Sequence, residues 1–190
     1  MTEKDKKPDP KYVTELDVTG RGLGELDLSR YPKLEILYCG ENELEYIDLS
    51  HTPNLYKLWC PKNRLHELDL SHTPDLFVLG CEENQLSNLD LSATPRLQYL
   101  LCTDNQLTEL DLSNAPSLIN VACGKNKLLE IDIFSNGKLE SLSCAHNFLT
   151  ELDITDKPNL KGLLCSVNKL RSLDLSNKPL LETLSCYENL

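Results

Sequence analysis

Apolar residues fall along this chain in a pattern that repeats every 21 positions. One copy places them at Leu34, Leu37, Cys39, Leu44, Ile47 and Leu49; the next places them at Leu55, Leu58, Cys60, Leu65, Leu68 and Leu70. Within each copy are two short alternating segments. In Ile36-Leu37-Tyr38-Cys39-Gly40, Leu37 and Cys39 share one side, and Ile36, Tyr38 and Gly40 share the other. In Tyr46-Ile47-Asp48-Leu49-Ser50, Ile47 and Leu49 point inward. Alternation at period two predicts β-strands, and ten-residue halves leave no room for an ordinary helix. Turn residues gather at Asn42 and at the Ser50 to Pro53 segment, which predicts corners there.

A fixed step means one supersecondary unit, copied and stacked. Full copies begin at Val13, Leu34, Leu55, Leu76, Leu97, Leu118, Leu139 and Leu160, and a truncated ninth begins at Leu181. One coil leaves both flat ends open, so stability has to come from its neighbours. Parallel strands lie about 4.8 Å apart, which makes eight steps a rod about 40 Å long. Residues 13–190 are one repeat domain, and residues 1–12 are expected to be a flexible polar lead, not a signal peptide.

The unit reads L-x-x-L-x-C-x-x-N-x-L-x-x-L-D-L-S-x-x-P-x. It resembles a leucine-rich repeat, specifically the bacterial 21-residue kind called IRREKO. Departures are local: Val18 and Arg21 replace the Cys and Asn of the first copy, and Phe134 and Gly137 replace Ser and Pro in the sixth. The expected fold is a leucine-rich repeat solenoid. It would be a right-handed coil with two short parallel β-sheets on opposite sides, little or no helix, and a nearly straight to gently curved axis. The resemblance implies a surface-displayed or secreted bacterial protein, while the start of the chain leaves a cytoplasmic location open.

Eight cysteines, Cys39 to Cys186, form one column. They read as small buried hydrophobes, because single file at strand spacing suits neither a tetrahedral metal site nor a disulfide. Cys186, in the last coil, is expected to be the most reactive. The column Asn42 to Asn189 is expected to bond backbone freed at one corner.

The second segment turns Asp27, Asp48, Asp69, Asp90, Asp111, Asp132, Asp153 and Asp174 outward, with Glu25, Glu67, Glu109, Glu130 and Glu151 beside them. This reads as a solvated face whose Asp side chains bond the nearby Ser50-type column; a calcium ladder and a basic partner are the alternatives. The net charge of −11 argues against nucleic acid as partner. No stretch is long and apolar enough to span a membrane as a helix.

The outward positions of the first segment change from copy to copy. Over repeats two to five, and at Ile119 just beyond, they gather Ile36, Tyr38, Tyr56, Lys57, Trp59, Phe77, Val78, Tyr99 and Leu101. Aromatic residues on an outward face point to recognition of another protein. In leucine-rich repeat proteins the equivalent surface is the usual ligand face, and the resemblance implies the same here. The alternatives are a structural or self-associating element, suggested by the uncapped last coil with Leu181, Leu184, Cys186 and Leu190, and glycan stacking on Trp59 and Tyr38. No nucleophile sits beside a His in the unit pattern, no phosphate loop appears, and the four His are scattered, although His51 and His72 occupy equivalent corners. The expected protein is not an enzyme and carries no cofactor or metal.

Overall fold

The structure is a computed structural model, and it describes residues 9–190. Nine three-residue strands form one parallel sheet in chain order: β1 (Glu15–Asp17), β2 (Ile36–Tyr38), β3 (Lys57–Trp59), β4 (Val78–Gly80), β5 (Tyr99–Leu101), β6 (Asn120–Ala122), β7 (Ser141–Ser143), β8 (Gly162–Leu164) and β9 (Thr183–Ser185). Each residue pairs with the one 21 positions on, so Tyr38 faces Trp59 and Trp59 faces Gly80. The chain is therefore a parallel β-solenoid of about eight turns. Among the described residues the only helical piece is a 3-10 turn, Pro10–Tyr12, capped by the Asp9 side chain. The lead expected over residues 1–12 includes that turn; its first eight residues lie outside the described ones.

Inside the coil runs one continuous apolar cluster. Leu34, Leu37, Cys39 and Leu44 are fully buried, as are their equivalents through the seventh copy, and Ile47 and Leu49 are nearly so. Seven thiols are buried and free, and Cys186 is exposed. Burial pushes the Cys39 thiol up to about 12. It pushes Cys165, which only the last coil covers on its C-terminal side, up to about 11.

Each asparagine ties two coils together. Asn63 Nδ2 donates to Cys39 O of the previous coil at 3.0 Å and to Cys60 O at 3.1 Å, and its Oδ1 accepts from Leu44 N at 3.0 Å. The same set recurs at Asn105 with Cys81 O, Cys102 O and Leu86 N. The residue before each asparagine adopts positive φ, from Glu41 at 55° to Glu188 at 53°, and this turns the chain at the corner that follows the strand.

Among the described residues the second sheet expected on the opposite side is not formed. Ile47 and Leu49 do point inward, but no backbone hydrogen bond joins residues 45–51 to their counterparts in neighbouring coils. The aspartate is the reason. Asp48 Oδ1 accepts from Ser50 N at 2.9 Å, and Thr52 N then donates to Leu49 O at 3.0 Å. Two local turns use the amides that a ladder would need. The same Asp bond recurs in every coil from Asp27 to Asp174.

A further buried column, which the repeat pattern does not announce, lies at the third position of the Ser-x-x-Pro corner. Thr52, Thr73 and Thr94 are fully buried there, and each hydroxyl donates to the leucine carbonyl three residues back, at 3.0–3.1 Å. Ala115, Asn136 and Lys157 follow; Asn136 Oδ1 is sealed without a partner.

Candidate functional site

Period-two alternation puts Leu37 and its equivalents into the core and leaves Ile36, Tyr38, Lys57, Trp59, Val78, Tyr99 and Leu101 on the open face of the sheet. Tyr56, Phe77 and Ile119 flank them at the strand entrance. Of these ten residues Tyr56 is exposed and the other nine are half-buried. They shield one another rather than standing free in solvent.

Two clusters result. Tyr56 and Phe77 stack with ring centroids 4.9 Å apart and planes at 14°, and Phe77 meets Tyr99 at 5.7 Å with a 49° tilt. The three rings climb three successive coils and form a ridge. In the second cluster the Lys57 ammonium lies 4.8 Å from the Tyr38 ring centroid and 5.5 Å from the Trp59 ring, and it donates to Tyr38 Oη at 3.1 Å.

Gly80 completes the second cluster, and it was not among the expected site residues. A Cβ there would stand 2.6–2.9 Å from Trp59 Cε3, Cζ3 and Cδ2. The indole therefore lies over the backbone of the next strand in space that only glycine leaves open. The signal was available in the sequence, because register places Gly80 directly beside Trp59. Past Gly80, the Glu82 carboxyl has one oxygen sealed without a hydrogen-bond partner, and burial raises it above the usual carboxylate range.

Charged side chains line the edges of the sheet. Cross-coil pairs join Lys62 to Glu41 at 3.4 Å, Arg64 to Glu43 at 3.2 Å and Arg96 to Asp75 at 2.7 Å. All are exposed and contribute about 0–1 kcal/mol each.

The acidic face is built differently. Asp27, Asp48, Asp69, Asp90, Asp111, Asp153 and Asp174 are held below the ordinary carboxylate value by hydrogen bonds from the residue two positions on, such as Ser50 for Asp48 and Thr155 for Asp153. One oxygen of each is thereby turned back onto its own turn. Among the described residues no three His, Cys, Asp or Glu side chains gather closely enough to hold a metal ion. Among the described residues no helix is long and apolar enough to cross a membrane.

No family model matches the chain, and no curated protein matches it. Solved structures do. The functional domain of InlJ from Listeria monocytogenes, which includes a cysteine ladder, is 30% identical over 94% of this chain with a TM-score of 0.77. This chain spans 45% of that one. Internalin C2 of Listeria monocytogenes is 18% identical, with a TM-score of 0.81 over 95% of this chain and 82% of its own. A leucine-rich repeat protein of Leptospira interrogans is 20% identical, with a TM-score of 0.68 over 95% of this chain and 62% of its own. With the 21-residue step, the single parallel sheet and the asparagine and cysteine columns, these likenesses show the fold to be a leucine-rich repeat solenoid.

Proposed function

We propose that the chain is a non-enzymatic protein-recognition module that takes its partner on the open face of β2–β6. One contrast carries this reading. The packing columns scarcely change from coil to coil, while the open-face positions change every time and collect the only Trp of the chain. A scaffold needs the first and has no use for the second. The rings are already stacked or seated before any partner arrives, so little side-chain freedom is lost on docking. Ile36, Tyr38, Trp59, Phe77 and Tyr99 form the centre of the contact, with Tyr56, Lys57, Val78, Leu101 and Ile119 around them. A chain of net charge −11 repels phosphate backbones, which favours a protein over nucleic acid. The 21-residue step and the L-x-x-L-D-L half support reading the coils as the bacterial IRREKO kind.

Affinity capture from extracts of the cells that make the protein tests this. The bait pairs are wild type against Trp59→Ala with Tyr99→Ala, and wild type against Glu67→Gln with Glu109→Gln on the acidic side. The first pair of substitutions should abolish a specific capture that the second leaves intact. Loss through the acidic pair alone would overturn the proposal.

A further inference from the structure

Lys57 is the only charged residue at an outward strand position anywhere on β2–β6. It sits between two rings, and its one hydrogen bond runs to a neutral phenol, Tyr38 Oη, at 3.1 Å. Among the described residues no carboxylate lies within 4.0 Å of it, whereas Lys62, Arg64, Arg96, Lys125 and Lys161 each meet an acidic side chain one coil back. The rings hold the ammonium in place without neutralising it. Two of its three donors have no protein acceptor.

A cation left this way is tolerable while water reaches it. Once a docked surface covers the rings, the same cation loses its hydration, and an unmatched buried charge strongly opposes association. From this geometry we propose that Lys57 is the anchor for a carboxylate on the partner, carried by an aspartate or glutamate between apolar or aromatic neighbours that rest on Tyr38 and Trp59. This rests on the recognition reading above and adds the partner's chemistry to it. The chain's negative charge gives such a partner no long-range attraction. Lys57 therefore acts at contact, rejecting surfaces that bring a cation or an unpaired amide to that spot. Gly80 is its positioning residue, because it lets the indole lie flat enough to wall the ammonium.

Three capped tripeptides test this, each with phenylalanine on both sides of a central aspartate, asparagine or lysine. Binding is followed by NMR through the indole N–H signal of Trp59, the single Trp of the chain. On wild type the aspartate peptide should bind about fivefold more tightly than the asparagine peptide, and the lysine peptide most weakly. The preference should vanish in Lys57→Met, which keeps the apolar stem, and persist in Lys57→Arg; both variants should melt like wild type. Equal binding of the aspartate and asparagine peptides, or a preference unchanged in Lys57→Met, removes the anchor and leaves the recognition face standing. If none of the peptides moves the Trp59 signal, the face itself is refuted and the anchor with it.

Discussion

At the scale of single residues, the coil depends on a few side chains that satisfy backbone. Asn105 closes three bonds at 3.0–3.1 Å across two coils in the middle of the stack. Asn105→Ala leaves buried amide and carbonyl groups unpaired and should destabilise by about 2–4 kcal/mol, read by denaturant unfolding. An effect below about 0.5 kcal/mol would show that water replaces the side chain. Val167 holds φ at 55°, where a β-branched residue is strained. Val167→Asn should stabilise by about 1 kcal/mol and raise the melting temperature; a lower melting temperature would show that the Val methyls pack too well to lose. The asparagine column was legible in the sequence because it recurs and because a corner has to satisfy its backbone. The Thr52 column was not. Its position varies through Thr, Ala, Asn and Lys, and nothing in Ser-x-x-Pro says which of the two middle residues turns inward.

At the scale of the element, alternation along β2–β6 foretold the side each residue takes, and the open face was legible from that alone. The second segment of each coil forms no strand, for a physical reason. Period two sets which way side chains point, but a ladder also needs free amides, and Asp48 captures the Ser50 amide before the next coil can. What no periodicity reveals is lateral contact: the stacking of Tyr56 on Phe77, Lys57 between two rings, and the indole over Gly80. Gly80→Ala tests that last contact. The added methyl has to push the ring outward, so acrylamide quenching of Trp59 should increase and the far-ultraviolet circular dichroism should stay the same. Unchanged quenching would mean that the indole does not lean on the glycine.

For the whole molecule, the thiol column and the aspartate column set opposite ends of the pH range. Buried thiols sit above their ordinary value of 9.0, so an unfolded chain releases their protons first as pH rises. The thiols' contribution is fully present below about pH 9 and falls by about 1.4 kcal/mol per pH unit for each thiol above it, until the folded values are reached. Seven such residues in one stack should make alkaline unfolding steep between about pH 9 and 11, and replacing Cys102 and Cys123 by Ala should make it shallower. The aspartates work in the other direction. Their folded values are lowered, so their contribution is present above about pH 4 and is lost as acid protonates them. A melting temperature that rises below pH 4 would mean that repulsion along the column outweighs its turn bonds. Accessibility follows the same column: a thiol reagent at neutral pH should modify Cys186 alone and reach the other seven only after denaturation.

Photocrosslinking asks the central question most directly, namely which wall of the coil meets the partner. A benzophenone amino acid replaces Phe77 on the open face in one sample and Tyr46, which is exposed on the opposite side, in another. After irradiation in the cells that make the protein, a discrete adduct from position 77 with none from position 46 is the predicted result. An adduct from position 46 with none from 77 would contradict the account.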